Sequence, residues 1–489
     1  MEEVGGTPFT VLRRIAPVTD NSEEPQGFQW LIAAQLAVFI VGTTWAFGGN
    51  ASWVRTPISL WGSIGILLTV GGLAWRLFTK RALPSGAHWI WPVVLLNAMA
   101  LGSGFSVSFK NLASDGGVLL VPMKVPLWIP STAVPDVTLR SIWLFDGIYF
   151  SCVNLVLFVG RKRLLRIIVA TVVGNSFILA VFGTAQKLIG SNGIYFGAVH
   201  SPNEAFFASF VYDNHWGAFM VLMCGAAIAL TLRYAYGIRG SGFLHGPALA
   251  GLVCVCLMAL SVPLSGSRAC SLLVLILVLG AVSYGYPLVV GGLHASGLKP
   301  RYALAGISIL ALLVLFWTWS VVGETVASRA EVTRNQILHF RARGDGISRK
   351  TLYRDTWRMA LDKPLFGWGM GTYPNVFPLY NTQQRPNERL PVVYHDAHSD
   401  WLQGLAEIGL VGFVLVVSAA VLPLRTLRKA KVTPFPYFLI FGCLLVLLYA
   451  LVEFPFGNVA VELSWTFCLA VAVQYMRLST RSRVAPKPA

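Results

Sequence analysis

The segment PVVYHDAHSDWLQGLAEIGLVG at 391–412 places two histidines and two aspartates, His395, Asp396, His398 and Asp400, at the start of an apolar run. A neutral imidazole can take a proton from a hydroxyl near physiological pH, and Asp396 and Asp400 are close enough in sequence to orient or polarise His398. Two other readings stand beside general-base chemistry. His398 could be a hydrogen-bonded structural residue, or His395 and His398, three apart, could present two metal ligands on one helical face, although no third ligand is identifiable nearby. A titratable cluster at the mouth of a membrane span suits a reaction on a substrate that is itself half in lipid.

Two further apolar runs begin in the same polar way. One follows Tyr212, Asp213, Asn214 and His215, and the other follows Ser265, Gly266, Ser267 and Arg268. A helix N-terminus offers unpaired N–H groups and the positive end of the helix dipole, so three such starts on one side could converge on a phosphate. Capping alone also accounts for Asp213, Asn214, Ser265, Ser267, Ser399 and Asp400. Arg268, one residue after a Ser-Gly-Ser turn, is placed either to snorkel to headgroups or to bind a phosphate through two N–H groups.

Upstream, residues 350–362 read as a helix. Tyr353, Trp357 and Leu361 form one apolar stripe, with Arg354 and Arg358 on an adjacent stripe. Pro364 ends that helix. Gly367, Gly369 and Gly371 then allow a tight path or a close backbone approach to a ligand; with no preceding strand they do not indicate a dinucleotide site.

The elements that must hold these groups are membrane helices. Among 489 residues 55% are hydrophobic and 12% charged, about half the charge of a soluble domain, and the mean hydropathy is +0.64. Apolar stretches near the length a bilayer demands predict an all-α polytopic membrane protein with twelve spans: about 28–48, 58–77, 88–107, 141–160, 167–189, 214–236, 247–264, 269–292, 302–323, 404–424, 435–454 and 461–477. The expected organisation is a tail at 1–27 without a cleavable signal peptide, spans 1–9 within 28–323, a large outside loop with short helices at 324–403, spans 10–12 within 404–477, and a tail at 478–489. With the N-terminus cytoplasmic, 21 of the 38 Lys and Arg residues fall inside, 6 in short outside loops and 11 in the long loop; both termini are therefore expected in the cytoplasm.

Topology accounts for much of the net charge of +17, so no nucleic acid is needed to explain it. The long loop is itself basic, which fits either a solvated surface or attraction of a polyanion or lipid phosphate. All seven cysteines fall within or at the ends of spans, without paired metal spacing, so neither a disulfide framework nor a zinc site is expected. Trp357, Trp368, Tyr373, Phe377, Tyr380, Tyr394 and Trp401 could stack sugar rings or form an aromatic belt and loop core.

FVYDNHWGAF at 210–219, LSGSRA at 264–269, PLFGWGMGTYPNVFPLY at 364–380 and HDAHSDWLQGLAEIGLVG at 395–412 resemble the ordered motifs of the O-antigen ligase and polymerase superfamily, over roughly residues 205–415. The resemblance implies about twelve spans in the bacterial inner membrane, with one large periplasmic loop between late helices and the active site facing the periplasm. It implies transfer of a glycan from undecaprenyl diphosphate to the hydroxyl of a glycan or lipid A-core acceptor, with no metal, nucleotide sugar or other cofactor. Carried over residue by residue, it makes His398 the histidine that activates the acceptor and Arg268 a ligand of the lipid diphosphate. Asn214, Arg354 and Glu407 take supporting roles, and Ser267, His215, Arg358 and Asp400 adjoin them as substrate-binding candidates. Where relatives often read His-Asn-Asp this chain has His398, Ser399 and Asp400, and residues 196–209 lack the arginine that many relatives have there. His200 or an arginine of the long loop is the candidate replacement.

The alternative class is a membrane transporter or exporter of a lipid-linked glycan or small anion. It would place its key polar groups near the bilayer midplane. Asp146 and Glu453 are the acids expected inside spans, and pairing within the bundle is the simpler account of both.

Overall fold

The structure, a computed structural model, describes residues 24–114, 117–235, 246–295, 349–382, 394–429 and 433–484. The expected ninth span at 302–323, residues 324–348 and 383–393 of the expected loop at 324–403, and the outer parts of both tails lie outside the described residues.

Lipid offers the backbone no hydrogen-bond partners, so each long apolar run must satisfy its own N–H and C=O groups as a helix. In chain order these are α1 (Gln26–Trp45), α2 (Ser52–Phe78), α3 (Trp91–Ser103), α4 (Pro135–Phe158), α5 (Lys162–Leu188), α6 (Asp213–Ala235), α7 (Pro247–Ser265) and α8 (Arg268–Ala295). There follow a helix before the Gly-rich turn, α9 (Arg349–Asp362), and then α10 (Asp400–Val421), α11 (Pro434–Tyr449) and α12 (Val459–Val484). Among the described residues nine helices are long and apolar enough to cross a membrane; α11 is a shorter apolar helix at a further expected span, and the 13-residue α3 falls at another. The protein is therefore an all-α polytopic membrane protein. One departure is an antiparallel hairpin between α3 and α4, β1 (Phe109–Ser114) and β2 (Gly117–Pro122), with Phe109 opposite Pro122.

Successive helices alternate between two ends of the bundle. At one end Ser209 Oγ donates to the Thr44 carbonyl at 2.6 Å and Lys363 Nζ donates to Ser108 Oγ at 2.5 Å. At the other, Arg76 pairs with Glu24, Arg477 Nη1 donates to the Val156 carbonyl at 2.8 Å, and Gly160 N donates to Gln29 Oε1 at 3.0 Å. Helix α6 runs through the middle, apolar and buried on nearly all sides, with Trp216 and Phe219 fully enclosed. Small residues let the backbones close: a Cβ on Gly62 would sit 2.8 Å from the Gly147 Cα, and one on Gly225 2.9 Å from the Phe438 carbonyl oxygen.

Helix α10 is broken at Gly409, whose φ of 62° and ψ of −174° interrupt the helical ladder. The N–H groups of Leu410 and Val411, freed by the break, donate to the carbonyls of Pro364 and Leu365 at 2.8 and 3.0 Å. The first two turns, Asp400–Ile408, are thereby set apart from the apolar run below and carry Asp400, Gln403 and Glu407.

Candidate active site

Ser399 caps α10 as its sequence position suggests, with Oγ accepting from Leu402 N at 3.4 Å. The residue before it, His398, has φ +52°, a region seldom occupied by a side chain of this size, and Tyr353 from α9 holds it there by donating to the His398 carbonyl at 2.8 Å. The ring meets Phe454 edge to face at 4.8 Å, and Nδ1 lies 3.4 Å from Glu453 Oε2. The His398 side chain keeps 32% of its exposure while Glu453 is almost enclosed.

Glu453 is the hub. Its Oε1 accepts from Arg349 Nη2 at 2.6 Å and from Asn214 Nδ2 at 3.4 Å, so one carboxylate joins the starts of α6, α9 and α10. The expectation that Glu453 lies inside a span is corrected. Helix α11 ends at Tyr449, and Glu453 sits in the connection to α12, at the His398 end of the bundle. Burial pushes its carboxyl up, but the His398 hydrogen bond and the Arg349 charge outweigh burial and hold it below the ordinary glutamate value. Asp396 moves the other way, raised by burial, and Tyr212 is pushed up to about 12 by burial and by the charge of Glu453.

The starts of α6 and α8 also meet. Ser267 Oγ donates to Asn214 Oδ1 at 2.6 Å, and Asn214 Nδ2 donates to the Tyr212 hydroxyl at 2.8 Å. Gly266, at φ +98°, turns the chain tightly between α7 and α8 and leaves Arg268 exposed at the α8 N-terminus, with no ion pair among the described residues. Convergence of three polar helix starts is thus present in the geometry.

Of the other expected site residues, His215 and Asp400 lie beside the His398–Glu453 pair, whereas Glu407, Arg354 and Arg358 are engaged elsewhere. His215 is buried against the Phe454 carbonyl at 3.3 Å. Asp400 accepts from Phe456 N at 2.9 Å through Oδ2, and its own N–H reaches the Ala450 and Glu453 carbonyls, so it fixes the loop that carries Glu453. Glu407 accepts from Gly371 N at 2.7 Å and Tyr373 N at 3.0 Å, bracing the Gly-rich turn. Arg354 and Arg358 lie 3.6 and 3.8 Å from the buried Asp355, with no contact to His398, Glu453 or Asn214. His395 and His200 are exposed.

The glycines 367, 369 and 371 all have positive φ, and the close approach they permit is to the protein itself. A Cβ there would fall 2.3 Å from the Glu407 carbonyl oxygen, 2.2 Å from Thr132 Oγ1 and 2.2 Å from Ser141 Oγ respectively. A small pocket lies beside this turn, lined by Leu96, Thr138, Met370 and Glu407 rather than by His398.

Sequence reading missed Arg349, Tyr353 and the role of Glu453. Pro455 and Gly457 did signal a stop just after Glu453, but the apolar residues Leu451 and Val452 concealed that the helix had already ended. Nothing in the spacing linked Arg349 to a carboxylate 104 residues away.

No curated protein matches the chain. Residues 252–417 match the family model for O-antigen ligase, a stretch that takes in Arg268, the Gly-rich turn, His398 and Glu407, begins after Asn214 and stops before Glu453. That match, over about a third of a chain folded as a membrane-helix bundle, supports placing the protein in the O-antigen ligase and polymerase superfamily.

Proposed function

We propose that the protein transfers a glycan, with inversion, from a polyprenyl-diphosphate-linked donor to an acceptor hydroxyl at the outer face of the bacterial inner membrane, with His398 as general base. The family match supports glycosyl transfer in polysaccharide assembly. The observation that carries the finer reading is the His398–Glu453 pair at the convergence of three helix starts.

With Nδ1–H donating to the carboxylate, Nε2 presents its lone pair to the acceptor. As the acceptor oxygen forms the new glycosidic bond, its proton passes to Nε2, and the bonding pair to the anomeric carbon leaves with the diphosphate. Glu453 stabilises the resulting imidazolium, and the His398 hydrogen bond with the Arg349 charge holds its carboxyl below the ordinary glutamate value despite burial. In this reading Arg268 and the N–H groups opening α8 receive the charge growing on the diphosphate. Either a lipid-linked repeat or a lipid A core could supply the hydroxyl, and His200 or an arginine of the long loop stands in for the arginine absent from 196–209. An exporter would call for free acids along a path at mid-membrane; Asp146 instead accepts from Asn97 Nδ2 at 2.9 Å, and Glu453 lies at the bundle end.

The test is purified protein reconstituted with a lipid-linked oligosaccharide. His398→Ala is expected to lose about 10²–10⁴-fold in rate, and Arg268→Ala about 10²–10³-fold, with both variants inserted and monodisperse. Full activity of either variant overturns its assignment. Chain growth with no other acceptor present identifies a polymerase.

A further inference from the structure

Helix α9 is amphipathic in an unexpected sense. Its packed face consists of Leu352, Asp355, Thr356, Met359 and Ala360, whereas the apolar stripe is turned outward: Trp357 is 49% exposed and Leu361 55%. Leu365, just past the end of the helix, is also exposed, and the guanidinium groups of Arg354 and Arg358 stand beside this stripe, more than half exposed. A tryptophan and two leucines grouped on one surface are costly in water and mark a face that meets something apolar.

The break at Gly409 sets the height of that face relative to the bilayer. Through their carbonyls Pro364 and Leu365 cap the lower part of α10, where Leu410, Val414, Val417 and Val421 are all exposed at spacings of three and four. Such a stripe on a membrane helix faces acyl chains. The stripe of α9 therefore begins directly above a lipid-facing one, at the level where tails give way to headgroups. Basic groups beside an apolar helix stripe are the composition of a helix lying in the interfacial plane, with its cations toward anionic headgroups.

We propose that α9 is an interfacial helix whose Trp357, Leu361 and Leu365 are seated in the outer bilayer leaflet, with Arg354 and Arg358 at the headgroups. The same helix carries Arg349 to Glu453 and Tyr353 to the His398 carbonyl, so the bilayer surface itself registers two groups of the site. This inference rests on the proposed orientation only for which leaflet is named; the seating of α9 in a leaflet requires only that the bundle spans a membrane, and it stands or falls independently of the reaction.

The experiment places a nitroxide on full-length protein in nanodiscs containing anionic lipid, at Leu361→Cys, at Trp357→Cys and, on the neighbouring stripe, at Arg358→Cys. Native protein labelled in parallel supplies the background from its own cysteines. Power saturation then compares collision with oxygen, which partitions into lipid, and with a water-soluble nickel chelate. The expected result is several-fold lower nickel accessibility at 357 and 361 than at 358, with oxygen accessibility reversed. Equal nickel accessibility at all three positions overturns the proposal in favour of a solvated face. Protection of 357 and 361 from both reagents overturns it in favour of a protein cover, either a second copy or residues 296–348 of this chain.

Discussion

Glu453 does at residue scale what no neighbour in sequence could do for His398. A carboxylate held below its ordinary value contributes its binding energy above the unfolded glutamate pKa and loses it as pH falls through the folded value. The ties from Glu453 to His398, Arg349 and Asn214 are therefore intact at neutral pH and fail in the acid range. Glu453→Gln removes the charge and the fixed imidazole orientation together. It is expected to lower kcat on the order of 10²-fold, the low end of what base catalysis contributes, with little change in KM for the donor. Glu453→Asp should recover part of kcat. A Glu453→Gln enzyme with unaltered kcat and pH profile would show that the carboxylate only packs.

The Gly-rich turn shows how elements are held together. Gly369 adopts φ +108°, and a Cβ added there would meet Thr132 Oγ1, so Gly369→Ala is expected to destabilise by about 1–3 kcal/mol, read as a lower thermal midpoint in detergent. Lys363 ties the same turn to the hairpin region, reaching Ser108 and Ser131 Oγ at 2.5 Å each and lying over the Trp368 ring at 4.7 Å. Burial lowers its pKa to about 8. Between about pH 8 and the ordinary lysine value the unfolded chain holds a proton that the folded one releases, so the folded state gains stability as pH rises across that window and the cost of burying the ammonium is relieved. Hydrogen exchange of the β1 and β2 amides, corrected for intrinsic rates, should slow accordingly, and Lys363→Met should abolish the trend.

Across the whole molecule, close helix packing rests on paired small residues. Gly62 faces Gly147, and Gly65 faces Ser151, across α2 and α4. Gly147→Val forces these backbones apart and is expected to cost about 1–3 kcal/mol. Its signature is a lower thermal midpoint with donor KM unchanged, because the substituted position lies within the bundle and touches none of the groups around His398.

Most of the fold was legible because the bilayer imposes a length and a backbone rule that composition alone can meet; α1, α2 and α4–α8 fall where apolar runs predict them. The hairpin was signalled only by Asp115-Gly116, which a search for long apolar periods passes over. Sequence by itself determined the class of protein and, to within a few residues, the helix starts at Asp213, Arg268 and Asp400, and it singled out His398 as a candidate. Tertiary structure decided which groups meet: that Glu453 leaves its helix to reach His398, that Arg349 arrives from a separate helix, and that Asp400 and Glu407 brace loops. The reason is physical. Helix formation and membrane insertion depend on residues close in sequence, whereas pairing of a carboxylate with partners 55, 104 and 239 positions away depends on how the helices pack.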